Sequence, residues 1–123
     1  MQVSEIVASV NFHDSSVIEV FYQNDTVKLR IDLCMWKQDG YREGDDELKE
    51  VVLEFTNITD YMWDSEKSET DVDYDTILEV SYNDGLLKII LHDDEISILS
   101  FKCNTVMFEY KWVTNVLNLL NMY

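Results

Sequence analysis

The sequence predicts a mainly β fold, an antiparallel meander of about eight strands with a short helix at the C-terminal end. Apolar side chains alternate with period two in most segments, and Asn-Asp or Asp-Gly pairs separate several of these segments. The strand count allows a sandwich or a partly open barrel. Because the 123 residues include no proline and three glycines, we expect no linker and one domain over residues 1–123.

The clearest hairpin joins SVIEVFYQ to VKLRIDLCMW through Asn24 and Asp25. A two-residue type I′ turn requires positive φ at both positions, which Asn and Asp tolerate, and it fixes the register of the two strands. The predicted register pairs Val20 with Leu29 and Ile18 with Ile31 on the buried face, and Glu19 with Arg30 on the exposed face.

The other predicted strands are SEIVASVNF, LKEVVLEF, the two arms of TILEVSYNDGLLKIIL, and two strands in EISILSFKCNTVMFEYKW around a turn near Cys103. Two short segments have helical character, TNITDYMW and the C-terminal VTNVLNLLNMY. In the latter, Val113, Val116, Leu117 and Leu120 form a stripe that would close one end of a β core.

The second hairpin repeats the first at an offset of 60 residues. Leu78, Glu79 and Val80 repeat Ile18, Glu19 and Val20, and the turn pair becomes Asp84-Gly85. Either the chain contains two similar halves or two ordinary hairpins match by coincidence.

The net charge of −16, from 25 acidic and 9 basic side chains, restricts the classes of partner. Such a field repels nucleic acid and anionic lipid and attracts basic proteins. No window is apolar enough for a membrane span, and the N-terminal MQVSEIVASV lacks the basic region of a signal peptide. We therefore expect a cytoplasmic protein that binds a basic protein partner and needs no cofactor.

The acidic charge is concentrated between Asp39 and Glu79, a segment that contains 15 acidic residues and 3 basic residues. Aromatic residues interrupt this segment, and a buried aromatic can supply the anchor that charge alone does not. The alternative is that the aromatic side chains cap the core while the carboxylates are only solvated. The predicted partner-binding residues are Trp36, Tyr41, Asp45, Asp46, Glu47, Tyr61, Trp63, Asp64, Asp71, Asp73 and Asp75.

A catalytic cluster is not predicted, although His13-Asp14-Ser15-Ser16 contains the residue types of a serine-hydrolase triad. Triad members meet in space and are not consecutive in sequence, and no GxSxG elbow is present. We expect a turn in which Asp14 and the serines bond local backbone amides. The His92-Asp93-Asp94-Glu95 segment is likewise expected to be a polar turn.

The run DVDYD, Asp71 to Asp75, has the spacing of the first EF-hand ligands, but Thr76 and Tyr82 occupy the positions of the required Gly and Glu. If Asp71, Asp73 and Asp75 shared one face of a strand, they could gather a weakly bound hard cation. A solvated acidic edge is the simpler interpretation. Cys34 and Cys103 have no metal-site spacing, and we expect two buried, reduced thiols.

His13-Asp14-Ser15, followed by the alternating strand from Val17 to Tyr22, resembles small acidic β-rich bacterial proteins with a His-Asp-Ser entry motif. Some of these are immunity proteins of polymorphic toxin systems. The resemblance implies a non-enzymatic inhibitor of a basic toxin, for instance a toxin nuclease. The alternatives are a cation- or carbohydrate-binding β domain and an oligomeric structural protein.

Overall fold

A computed structural model of the protein describes residues 1–110. These residues form one α-helix and eight strands, which confirms the mainly β fold; the predicted C-terminal helix lies outside the described residues. The elements are α1 (Val3–Ser9), β1 (Ser16–Gln23), β2 (Thr26–Cys34), β3 (Leu48–Phe55), β4 (Thr59–Asp64), β5 (Asp75–Asn83), β6 (Leu86–His92), β7 (Ile96–Lys102) and β8 (Met107–Tyr110). Short 3-10 turns lie at Met35–Lys37 and Glu69–Asp71.

One predicted strand is a helix and one predicted helix is a strand, so the number of strands is correct although two assignments are wrong. SEIVASVNF was predicted as a strand, but α1 begins in it, because Val3 and Ile6 lie one helical turn apart and are both buried. Glu5 Oε1 accepts a hydrogen bond from the Gln2 N–H (3.4 Å), in the manner of a capping box.

The segment TNITDYMW was predicted as a helix and instead contains β4. Tyr61 and Trp63 are half-buried while the residues between and after them are exposed, which is the period of a strand. Asn57 and Asp60 have positive φ (55° and 54°), a backbone conformation that a helix cannot accommodate.

The first hairpin has the predicted turn and most of the predicted register. Asn24 and Asp25 have φ of 50° and 58°, as a type I′ turn requires. Val20 pairs with Leu29 and Glu19 with Arg30, as predicted. The pairing of Ile18 with Ile31 is wrong, because a bulge at Ile18 shifts the register and places the buried Val17 opposite Ile31.

The backbone of the second hairpin repeats these features 60 residues later. A bulge at Leu78 matches the bulge at Ile18, and Tyr74 (φ 57°) matches Asp14 (φ 67°) just before each hairpin. The turn at Asp84-Gly85 again has positive φ at both positions. The resemblance of the two hairpins therefore extends beyond their side-chain pattern to their irregularities.

The strands form one open antiparallel sheet in the order β4-β7-β6-β5-β1-β2-β3-β8. We call β1-β2-β3-β8 the first half-sheet and β5-β6-β7-β4 the second half-sheet; they join through two paired positions of β1 and β5. The predicted strict meander is wrong. β4 follows β3 in sequence but pairs with β7 of the second half-sheet, and β8 follows β7 in sequence but pairs with β3 of the first half-sheet. The chain crosses over the hairpin turns, where the Ile58 N–H donates to the Asp25 carbonyl and the Cys103 N–H to the Gly85 carbonyl.

The two half-sheets share one core. The Phe55 and Phe101 rings meet edge to face at 4.9 Å, although β3 and β7 lie five strands apart in the sheet order. The sheet therefore curves enough to bring Phe55 and Phe101 into contact, and α1 packs its buried Val3 and Ile6 against the same core. Cys34 and Cys103 are buried and unpaired, as predicted. None of the helices in residues 1–110 has the length and hydrophobicity needed to cross a bilayer.

Candidate functional site

The predicted partner-binding residues lie in two separate segments. Residues 35–47 connect β2 to β3 and are called the β2–β3 loop; they contain Trp36, Tyr41, Asp45, Asp46 and Glu47. Residues 61–75, called the β4–β5 segment, contain Tyr61, Trp63, Asp64, Asp71, Asp73 and Asp75. The first segment leads into the first half-sheet, whereas β4 belongs to the second.

Gln38 anchors the β2–β3 loop to the chain that precedes β1. Its Nε2 donates to the carbonyls of Asn11 (2.6 Å) and Cys34 (2.8 Å), and its Oε1 accepts from the Asn11 N–H (2.9 Å). The Met35 N–H donates to the Glu47 carbonyl (2.7 Å), which joins the two ends of the loop. A long acidic connection is thereby closed at its two ends and fastened near its start.

Internal hydrogen bonds give the β2–β3 loop a defined shape. The Tyr41 hydroxyl donates to the Asp45 carbonyl (3.1 Å), and Asp45 Oδ2 accepts from the Arg42 N–H (3.0 Å). Gly40 and Gly44 have φ of 81° and 97°, which side-chain-bearing residues rarely adopt. Burial is the largest cause that raises the pKa of Tyr41, and the negative charges of Glu47, Asp45 and Asp46 raise it further. The hydroxyl therefore remains a neutral donor.

The loop presents its acidic groups around a cleft of about 430 Å³. The charged residues lining this cleft are Asp39, Asp45, Asp46 and Lys49. Trp36 is 50% exposed. It belongs to the same 3-10 turn as Met35, and Met35 is one of the residues that line the cleft. A guanidinium or ammonium group fits the cleft, because the carboxylates attract a cation. The exposed Trp36 indole lies outside the cleft lining and is available to a separate part of the same partner.

In the β4–β5 segment the aromatic side chains contact other parts of the fold. Tyr61 stacks on Tyr22 with ring centroids 3.7 Å apart, and Trp63 Nε1 donates to the Lys67 carbonyl (2.7 Å). Both Tyr61 and Trp63 pack against the core. The alternative interpretation, in which aromatic residues cap the core, therefore describes these two residues.

Asp64, Asp71 and Asp73 are exposed, but Asp75 is 2% exposed. The prediction of a solvated edge is wrong for Asp75, whose carboxylate lies 2.6 Å from Lys67 Nζ. Asp71 belongs to a 3-10 turn and not to a strand, so the three aspartates do not meet the condition of a shared strand face on which the cation alternative depended. Among residues 1–110 no group of three or more His, Cys, Asp or Glu side chains is placed to hold a metal.

Lys67 is the centre of a partly buried ion network that the sequence analysis missed. Its Nζ lies 2.6 Å from both Asp75 and Asp93, and its side chain is 14% exposed. Burial alone would lower the pKa of Lys67, but the hydrogen bonds to Asp75 and Asp93 and the negative charges of these carboxylates together outweigh burial and raise it. The available signal was a single lysine within the acidic stretch from Asp60 to Asp75.

The His13–Ser16 segment leads into β1 as a turn, as predicted, but the Asp14 and Ser15 side chains also bind residues that follow in and after β2. Asp14 lies 3.1 Å from Lys37 Nζ and 3.3 Å from His13 Nδ1, and the bond from Lys37 is the largest cause that lowers the pKa of Asp14. The buried Ser15 hydroxyl oxygen accepts from the Cys34 N–H (2.8 Å). The expectation of local backbone bonds is wrong, because these side chains fasten β1 to the end of β2.

Comparisons with known proteins add little to this geometry. No family model and no curated protein matches the chain. Among solved structures, the chain is similar to an uncharacterized protein from Neisseria gonorrhoeae, with 16% sequence identity and a TM-score of 0.44. The similarity covers 80% of this chain and 93% of that protein. The site geometry is therefore what bears on function.

Asp93→Asn is expected to remove a pH-dependent part of the stability. The hydrogen bond from Lys67 is the largest cause that lowers the pKa of Asp93 from 3.8 to about 2. Because the folded pKa lies below the unfolded value, the ionised carboxylate stabilises the fold above about pH 4, and this stabilisation is lost as pH falls towards about 2. The difference in Tm between wild type and Asp93→Asn, followed by circular dichroism, should shrink over that window.

Glu69→Gln provides a control of opposite sign. Burial raises the pKa of Glu69, so its ionised form opposes folding at neutral pH. Glu69→Gln should therefore increase Tm at pH 7, and this gain should disappear on acidification. A constant difference in Tm between wild type and Asp93→Asn at every pH would contradict the role given to the Lys67–Asp93 pair.

Proposed function

We propose that the protein is a non-enzymatic module that binds a basic protein partner through the β2–β3 loop. The observation that carries the proposal is the combination of a half-exposed Trp36 with a firmly anchored acidic cleft. Residues 36–47 contain five acidic and two basic side chains, a local charge of −3. An anchored loop loses less conformational entropy when it binds than a flexible one does.

The charge favours fast association and Trp36 provides the anchor. Long-range attraction between a −16 chain and a basic protein raises the association rate, and the effect weakens with salt. Tryptophan is among the residues that contribute most when an interface buries them. Asp64, Asp71 and Asp73 are exposed and add to the overall negative field.

A toxin nuclease is the partner class that we propose first. Immunity proteins occur among the proteins that the His13-Asp14-Ser15 entry and its strand resemble. The substrate groove of a nuclease is cationic because it binds phosphates, and it is therefore complementary to an acidic cleft. Two buried, unpaired thiols fit the reducing cytoplasm, where such an inhibitor would act.

As the scaffold for this surface we propose a sandwich of the two half-sheets in preference to a barrel. Within residues 1–110 the half-sheets join at two paired positions, and the contact between Phe55 and Phe101 spans them. A rigid core beneath β2 and β3 would hold both ends of the β2–β3 loop in a fixed position.

Binding to basic proteins, first of all those encoded beside this chain, tests the proposal at low and moderate salt. For a partner that binds, we expect Asp46→Lys/Glu47→Lys to slow association at least about tenfold, because charge governs the association rate. Both side chains are exposed, and the substitutions leave the hydrogen bond to Asp45 intact. Trp36→Ala should mainly accelerate dissociation.

Asp71→Lys/Asp73→Lys is the matched control, because it changes the net charge equally but lies in the β4–β5 segment. Its effect on the association rate should be smaller than that of Asp46→Lys/Glu47→Lys. Equal effects of the two double variants would mean that only net charge matters, and the proposed loop surface would then be wrong. Unchanged affinity in Trp36→Ala would exclude Trp36 as the anchor.

A further inference from the structure

A second cleft of about 430 Å³ adjoins the acidic cleft of the β2–β3 loop. It is lined by residues 7–13, 37–39 and 78–80, and we call it the helix cleft because part of α1 forms one of its sides. Gln38 and Asp39 line both clefts, so the two clefts are direct neighbours. The proposed function does not use the helix cleft.

One part of the helix cleft is apolar. Val7, Val10 and Val80 are half-buried there and pack against the core. Leu78, which also lines the cleft, is 39% exposed. The helix cleft therefore offers an apolar surface that the fold leaves partly open to solvent.

The bulge in β5 brings a carboxylate to this apolar surface. A bulge sets two consecutive residues opposite one partner residue, and here Leu78 and Glu79 share Ile90. Both Leu78 and Glu79 line the helix cleft. At the repeated bulge of the first hairpin, Ile18 is half-buried and the 3-10 turn Glu69–Asp71 contacts β1. The exposed leucine is thus a feature of the second hairpin.

The unpaired charges of the helix cleft are negative. Lys37 lines the cleft, but its Nζ lies 3.1 Å from Asp14, which also contacts His13 at 3.3 Å. Within residues 1–110, by contrast, neither Asp39 nor Glu79 forms an ion pair. The cleft therefore combines an apolar surface with two carboxylates that lack a cation.

We infer that the helix cleft binds the side chain of a lysine or arginine residue of the basic partner. Such side chains lay their aliphatic stem along apolar surface and keep the cationic head at a polar rim. Val7, Val10 and Leu78 would contact the stem, and the carboxylates of Asp39 and Glu79 would bind the head. The inference rests on the proposed function for the identity of the partner.

The charges and the position of the helix cleft select this occupant. An anionic ligand would be repelled by Asp39 and Glu79, and a purely apolar ligand would cover these carboxylates without pairing them. Because Asp39 also lines the acidic cleft, a partner that places one cation there can place a second basic side chain in the helix cleft. The two clefts would then form one continuous surface.

Titration of the whole chain with n-butylammonium tests the helix cleft without a partner, because this cation has the stem and head of a lysine side chain. With isotope-labelled valine and leucine methyl groups, we expect the NMR signals of Val7, Val10, Leu78 and Val80 to shift with millimolar affinity. Higher salt should weaken the binding because it screens the charges. n-Butanol lacks the charge and methylammonium lacks the stem, so each should bind at least about threefold more weakly.

Glu79→Gln should weaken the binding of n-butylammonium at least about threefold, because it removes one carboxylate. Glu19→Gln is the matched control, since Glu19 occupies the repeated position in the first hairpin and lies 3.8 Å from Arg30. It should leave the affinity unchanged. The inference is overturned if n-butylammonium does not shift these signals, if methylammonium binds as tightly, or if the two variants have equal effects.

A basic protein that binds through the β2–β3 loop tests the source of the cation. Leu78→Ser should accelerate its dissociation at least about fivefold, and Glu79→Gln replaces this variant if circular dichroism shows a loss of fold. If Trp36→Ala weakens the complex and the folded cleft variant does not, the inference is overturned while the proposed function stands. If no basic protein binds, the proposed function fails, and the partner as the source of the cation is overturned with it.

Discussion

Lys67→Met is expected to destabilise the protein by about 3–5 kcal/mol, the usual cost of leaving a buried charge without its partner. Asp75 is 2% exposed and lies 2.6 Å from Lys67, so removal of the ammonium group leaves a carboxylate that water cannot reach. Methionine preserves most of the volume of the lysine side chain, and the loss therefore reports charge and not packing. Urea denaturation at pH 7 measures the free energy of unfolding.

Two further variants distinguish this effect from a general loss of charge. Lys102→Met removes a lysine whose partner Asp60 is exposed at 3.5 Å, and it should cost less than about 1 kcal/mol. Adding Asp75→Asn to Lys67→Met should recover part of the lost stability, because the unpaired charge is then gone. Similar costs for Lys67→Met and Lys102→Met would refute the buried pair.

Phe101→Ala is expected to cost about 3–5 kcal/mol and to destabilise both half-sheets together. The Phe101 side chain is completely buried and meets Phe55 of the first half-sheet at 4.9 Å. Because the halves share one core, neither should unfold alone. Denaturation followed by far-ultraviolet circular dichroism and by tryptophan fluorescence should give coincident transitions.

Phe21→Ala is the control for this substitution, since the same side chain is 49% exposed there and should contribute less than about 1 kcal/mol. Two separate transitions in Phe101→Ala, one for each half-sheet, would contradict the shared core.

Local rules predicted the hairpins well and failed where partners are distant in sequence. Asn24-Asp25 and Asp84-Gly85 fix their turns through the backbone conformations that these residues tolerate. The alternating pattern of the sequence continues without interruption through Ile18 and Leu78, so the pattern alone did not indicate the bulges at these residues. They appear because the buried Val17 and Ile77, one residue earlier, face the core.

The candidate site was predicted in part, for the same reason. Composition identified the acidic segment, and Trp36 is half exposed in the 3-10 turn that also contains the cleft residue Met35. Composition cannot separate a surface carboxylate from Asp75, whose burial depends on a lysine eight residues earlier and on the shared core. Nor could it indicate that Gln38 anchors the loop through Asn11, because that contact requires the folded chain.

The exchange of β4 and β8 between the half-sheets governs how the chain can reach its native state during synthesis. β3 pairs with β8, whose residues Met107–Tyr110 emerge from the ribosome long after β1, β2 and β3. Until then one edge of the first half-sheet remains unpaired and open to other strands. The nascent chain must keep that edge from aggregating for more than fifty residues of translation, and charged groups beside it, such as Glu50 and Glu54 of β3, are suited to that task.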